Sequence, residues 1–236
     1  MKIEHIHLRF IVWNMRWMTR YLGFLARPVV SWMAGREVIA CGFRDIDGGV
    51  RIIFSPGENR GDHWFVRQTV RGWEKVPADP LKNFSGDIVR QVIVPSAHVG
   101  EVFRVRAGRA TDITVNSPRI TVKEETRFDP DLINLKILPG GILRFSWSEN
   151  RQADTLIHFL VVEDSEGKCL AAVYTRESSW SYPLIRKVSL SIGPGEQPAF
   201  CESGSYTVKL VFIDFDGWVN AWAVKSFIYS SGTLGG

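Results

Sequence analysis

Cysteine is scarce in this chain: 236 residues contain three, Cys41, Cys169 and Cys201. So few and so scattered, they supply neither a disulfide framework nor a zinc site. Two readings remain for the pair in the second half, a single Cys169–Cys201 bridge or free buried thiols. Histidine is sparse as well, at positions 5, 7, 63, 98 and 158. His5 and His7 set two imidazoles on one face of an extended segment, but no third ligand stands near, so no metal is expected. His158 lies inside the apolar run 156–162 and reads as a core or edge histidine. There is no Gly-x-Ser-x-Gly elbow, no phosphate-cradling loop and no His-Glu-x-x-His helix. These absences argue against an enzyme, and no cofactor is expected.

Charge of one sign is lacking over most of the chain. The net charge is +4, yet residues 1–36 hold six basic side chains and one acid, Glu4. The remaining 200 residues carry 23 basic and 24 acidic groups, close to neutrality. Phosphate-tracking grooves need basic density in the folded body. None is visible here, which argues against a nucleic-acid partner. A clean long hydrophobic run is also missing. Residues 8–25 are apolar, but Arg9, Arg16 and Arg20 interrupt them, and an arginine at bilayer depth is expensive. No small-residue cleavage site follows, so no secretion signal is read.

The first 35 residues instead pattern as a basic amphipathic arm. Residues 3–12 alternate like a strand, and from Asn14, a suitable N-cap, the spacing turns helical until Pro28. Met15, Met18, Leu22 and Leu25 follow spacings of 3 and 4, flanked by Trp17, Tyr21 and Phe24, and Trp13 joins them as a candidate docking residue. Arg16, Arg20 and Arg27 cluster opposite. Such a helix packs on its own domain, docks into a protein partner, or lies in a membrane interface, here through residues 14–27.

What the chain has in abundance is self-similarity. Gly48-Gly49-Val50-Arg51-Ile52-Ile53-Phe54, then Glu58-Asn59-Arg60, returns as Gly140-Gly141-Ile142-Leu143-Arg144-Phe145-Ser146-Trp147, then Glu149-Asn150-Arg151. Phe54 and Trp147 stand 93 positions apart, the length of one small sandwich module. Strand patterns cover 37–44, 49–54, 64–70, 89–94, 101–107 and 120–123 in the first copy. In the second they cover 132–138, 142–148, 156–163, 169–175, 188–192, 206–214 and 221–229. The expected fold is all-β: two tandem Greek-key β-sandwiches at 36–123 and 124–230, the helical arm at 1–35, and a flexible tail at 231–236.

These strands resemble the fibronectin type III family. Trp147, with Phe54 as its counterpart, matches that family's aromatic in the second strand, and Gly204-Ser205-Tyr206-Thr207-Val208-Lys209-Leu210 looks like its sixth strand. In the first copy Phe103 replaces the corner tyrosine. The resemblance implies adhesion, spacing or scaffolding rather than chemistry.

Two features invite ligand readings. Asp45-x-Asp47-Gly48 and Asp214-x-Asp216-Gly217 each bring two carboxylates to a turn, a start on a calcium site and also ordinary turn chemistry. Trp73 and Trp218 are the tryptophans expected to be exposed, and an exposed indole can stack on a sugar ring. The sequence therefore supports a non-enzymatic structural or interaction protein, docked by its arm to other subunits of a larger assembly. A virion or tail accessory, or a cell-surface or envelope complex, fits best. The alternatives are a carbohydrate-binding adhesion module and a peripheral membrane protein.

Overall fold

In the computed structural model, the residues described are 38–45, 48–55, 62–86, 88–95, 97–108, 115–139, 142–148, 155–182, 190–191 and 203–230. The whole basic arm, residues 1–35, with its candidate docking residues from Trp13 to Arg27, lies outside them, as does the tail.

The first unit runs through β1 (Ile39–Arg44), β2 (Val50–Ser55), β3 (Asp62–Thr69), β4 (Gly72–Val76), β5 (Asp79–Pro80), β6 (Arg90–Val94), β7 (Val102–Gly108), β8 (Val115–Asn116) and β9 (Ile120–Thr121). The second has β10 (Arg127–Phe128), β11 (Ile133–Leu138), β12 (Ile142–Trp147), β13 (Thr155–Glu163), β14 (Cys169–Thr175), β15 (Ser179–Tyr182), β16 (Leu190–Ser191), β17 (Gly204–Asp214) and β18 (Val219–Tyr229). Each builds the same sandwich. In the first, a β1-β2-β6-β5 sheet faces a β4-β3-β7-β8 sheet; in the second, β11-β12-β15 faces β10-β18-β17-β13-β14-β16. The repeat read from the sequence is thus a repeat of topology, and the chain is a tandem of fibronectin type III-like sandwiches. Phe54 on β2 and Trp147 on β12, 4% exposed each, occupy corresponding places in the two cores.

Five strands escaped the sequence reading: the two-residue β5, β8 and β10, and the longer β4 and β15. β4 follows β3 through Val70-Arg71, a two-residue connection without Asn or Gly at its centre. β15 is a short Ser-Trp-Ser-Tyr run whose alternation buries Trp180 and Tyr182.

Alternation also explains how the units join. Along β1, Val38 and Ala40 point into the first sandwich, while Ile39, Cys41 and Phe43 point out of it. Those outward residues are buried nonetheless. They pack with Ile53 against Ile157, Phe159 and Val161 of β13, Tyr174 of β14, and Val211 and Ile213 of β17. The central strands of the second unit are apolar on both faces because both faces are covered. Four sheets therefore stack with three cores between them, and the middle core belongs to both units.

The β17–β18 turn secures that stack. Trp218 is fully buried, and it belongs to the same core cluster as Phe103, Val105 and Ile120 of the first unit. Its indole Nε1 donates to the Glu125 carbonyl at 3.0 Å. The turn backbone is bonded to the first unit as well: Gly42 N donates to Gly217 O at 3.0 Å, and Thr121 N to Asp216 O at 2.9 Å. Glycine is required on both sides of this contact. A Cβ at Gly217 would sit 2.5 Å from the Arg119 carbonyl oxygen, and one at Gly42 would sit 2.7 Å from Ile120 Cγ2.

The connecting segment is equally tied. β10 adds to β18 as a parallel strand, with Arg127 opposite Ala221. Thr126 Oγ1 accepts from Arg44 N at 3.2 Å and donates to Val219 O at 2.8 Å. On the other flank, Lys209 of β17 pairs with Glu163 at 2.9 Å, hydrogen-bonds the Phe84 carbonyl of the first unit, and lies 4.8 Å from the Phe84 ring centroid.

Emptying the Trp218 site leaves a cavity at the join and an unsatisfied Glu125 carbonyl. Trp218→Ala is expected to lower unfolding stability by about 3–5 kcal/mol. Denaturant titration followed by far-UV circular dichroism would measure it; a loss under about 1 kcal/mol contradicts this placement.

Candidate interaction surface

Of the two faces that end the four-sheet stack, one is chemically distinctive. On the outer side of the β4-β3-β7-β8 sheet, register sets Lys75 opposite Val66 and Val66 opposite Arg104. The neighbouring rows hold Trp64 opposite Arg106 and Trp73 opposite Gln68. Trp73 reaches across the rows, with Arg104 Cζ at 5.0 Å and Arg106 Cζ at 6.0 Å from its ring centroid. Val66, which register places among these side chains, is 2% exposed although it faces away from the core. Arg106 is further held by Nε donating to Asn116 Oδ1 at 2.9 Å. Guanidinium groups on an indole face form a cation–π stack, which orders long side chains that solvent would otherwise leave mobile.

This basic, aromatic face was not apparent in the sequence, where the body reads as neutral. Lys75, Arg104 and Arg106 are separated along the chain, and only strand pairing brings them together. The available signal was the alternation Phe103-Arg104-Val105-Arg106, with apolar residues turned inward and arginines outward.

Trp73 and Trp218, the pair expected to be exposed for sugar stacking, have different fates. Trp73 is half-buried and partly covered by arginine. Trp218 is a correction: it is fully buried in the first unit's core, so no sugar ring can reach it. The sequence placed it beyond a turn at a strand start, and nothing local reveals that a second domain covers it. Trp222 packs at the join, 5.6 Å from Phe43 and 4.9 Å from Phe128 between ring centroids.

The acidic turns prove to be structural. Asp214, 1% exposed, accepts from the backbone N–H of Asp216 and of Trp218, each at 2.9 Å. Its other oxygen accepts from Lys123 Nζ at 2.6 Å, and Lys123 also pairs with Asp216 at 2.9 Å. A lysine of the first unit thus stands where a cation would. Burial opposes the Lys123 charge, but its bonds to Asp214 and Asp216 more than offset this and hold its pKa above the ordinary value. Asp45 pairs with Arg51 at 2.7 Å; Asp47 lies outside the described residues. No cluster of three or more metal-ligating side chains occurs among the described residues.

Cys169 is a free buried thiol, which removes the bridge reading for it. Cys41 is likewise free. Both line the core shared by the two units. Burial raises both thiol pKa values, and the Asp214 charge adds to the effect at Cys41. Neither has the electropositive, exposed setting of a reactive cysteine.

His158 is a core residue, 4% exposed, with ring centroids 5.2 Å from Trp147 and 4.9 Å from Phe212. Burial lowers its pKa from 6.5 to about 4, against backbone bonds that act the other way.

A scan against protein-family models and a search of curated proteins find no match to the chain. Among solved structures, a two fibronectin type-III domain segment from chicken tenascin is similar at 13% identity, covering 83% of this chain and 97% of that one, with a TM-score of 0.28. At that score the similarity carries no functional argument.

Two measurements check these environments. Because His158 has its pKa depressed on folding, the stability linked to its neutral form is complete above pH 6.5 and is lost as pH falls toward about 4. The full effect is about 3 kcal/mol. Urea titrations at pH 8 and pH 4 should show that extra loss in the parent and not in His158→Gln; equal slopes in both exclude it. Mass-mapped alkylation should leave Cys41 and Cys169 unmodified in the native protein and label both in denaturant. Rapid native labelling of either would remove it from the shared core.

Proposed function

We propose that the chain is a non-enzymatic interaction protein whose N-terminal segment docks into a larger assembly, with the two sandwiches as its rigid body. The observation that supports this most is the division of the chain. The positive charge and the tryptophan-rich amphipathic pattern precede residue 36, while everything after it is close to neutral. The shared core and the β10 pairing leave no free linker between the sandwiches. A body of this kind holds position and spacing, and its specificity then rests on the element that precedes it.

Trp13, Arg16, Trp17, Met18 and Arg20 are the first half of the proposed docking element, and Tyr21, Leu22, Phe24, Leu25 and Arg27 the second. Large aromatics and arginines are the residue types that dominate binding energy when buried at protein interfaces. The assembly we favour is a virion, tail or surface complex made of other protein subunits. No second reading has an observation in its favour: the glycan reading loses one of its two tryptophans to the core.

Deleting residues 1–35 separates docking from folding. A tagged full-length chain recovered from its native host should co-purify with stoichiometric protein subunits. A chain beginning at Arg36 should lose them while keeping the same Tm within about 2 °C. Recovery of the full-length chain as a monomer contradicts the proposal. So does flotation with vesicles containing phosphatidylglycerol that disappears on the deletion, which would assign the segment to a membrane.

A further inference from the structure

The shared core runs out to the surface along three rings. Phe43 of β1 is 4% exposed, and Trp222 of β18, its ring centroid 5.6 Å away, is half-buried. Phe128 of β10 lies 4.9 Å beyond Trp222 and is 53% exposed. β10 is the outermost strand of its sheet, so no further strand covers this ledge among the described residues. An exposed ring continuous with a core differs from an apolar side chain scattered singly on a surface.

The rim of the ledge is acidic. From Lys123 to Asp131 the chain holds four acids, Glu124, Glu125, Asp129 and Asp131, against two bases, Lys123 and Arg127. Both bases are already engaged, Lys123 by Asp214 and Asp216 and Arg127 by Asp129. Arg51, whose guanidinium lies 5.5 Å from the Phe43 ring centroid, is paired with Asp45. Glu124, Glu125 and Asp131 are exposed and make no ion pair among the described residues. An aromatic step with a carboxylate rim calls for an apolar segment that carries cations.

One such segment lies in this chain. Residues 1–36 carry six basic side chains and one acid, and Trp17, Tyr21 and Phe24 fall among Arg16, Arg20 and Arg27. Ten residues, 28–37, join that stretch to the described chain at Val38 and span up to ~33 Å when extended. Phe43 stands four residues beyond Ile39, ~14 Å along β1. The tether therefore reaches the ledge. A tether this short holds its end at millimolar effective concentration, enough to populate a weak contact.

We propose that residues 14–27 rest on this ledge while the chain is free, their aromatic side chains on Phe128 and Trp222 and their arginines against Glu124, Glu125 and Asp131. This rests on the reading of the segment as the docking element, and adds where it sits before other subunits take it. An assembly that recruits the segment must compete with the ledge for it.

The test keeps the full-length chain and places a photo-cross-linker in the segment, as Tyr21→p-benzoylphenylalanine and separately as Trp17→p-benzoylphenylalanine. After irradiation, mass mapping should find the main cross-links within one chain, to residues 124–131 and 219–224. Phe128→Ser, or Glu124→Lys with Glu125→Lys, should lower that yield at least about twofold at unchanged far-UV circular dichroism. Raising the salt from 50 mM to 500 mM should lower it as well. Cross-links elsewhere on the body, or to a second copy, overturn the proposal, and so does a yield that the folded variants leave unaltered. Co-purified subunits report on the assembly separately. Their retention without a ledge cross-link sinks this inference alone, and a ledge cross-link without them supports it and counts only against the assembly.

Discussion

One tryptophan, Trp218, holds the architecture together. It belongs by sequence to the turn between the last two strands of the second sandwich, and by packing to the core of the first. Everything around it follows from that displacement. Asp214 caps the turn that presents it, Lys123 of the first unit neutralises the two aspartates, and Gly42 and Gly217 keep the backbones close enough for the ring to enter. The outward faces of β1 and β13 are apolar for the same reason, since the insertion brings them into contact and removes both from water. Tandem sandwiches joined by a free linker behave as separate bodies with a small polar interface. Here the interface has the composition of a core.

This arrangement changes what the duplicated modules can do. A body with three cores and no free hinge transmits position instead of adapting to a partner. The free thiols Cys41 and Cys169, the neutral histidine and the Glu163–Lys209 pair are all accounted for by packing, either inside one sandwich or at the join. None of them is left over as chemistry. On an end face of the stack, the guanidinium groups of Arg104 and Arg106 are ordered against the half-buried indole of Trp73.

Much of the fold was legible in the sequence because strand alternation and the internal repeat are local signals. The aromatic at Phe54 and Trp147 marked the second strand of each unit, and the run from Gly204 to Leu210 marked the start of β17. β4 was missed because Val70-Arg71 carries none of the usual turn residues. The join was illegible for a different reason. Outward apolar residues on β1 look like any buried strand, and only the three-dimensional arrangement shows that a second domain covers them. The same non-locality hid the basic face, whose residues come from strands distant in the chain, and it misplaced Trp218 at the surface. Sequence pattern reports which residues are covered more readily than what covers them.

Calorimetry of the full-length chain tests most directly whether the two sandwiches are one body. The shared core predicts a single endotherm with a calorimetric enthalpy equal to the van't Hoff enthalpy. Two resolved transitions, one per sandwich, would show that each folds alone, and would contradict the central place given to Trp218.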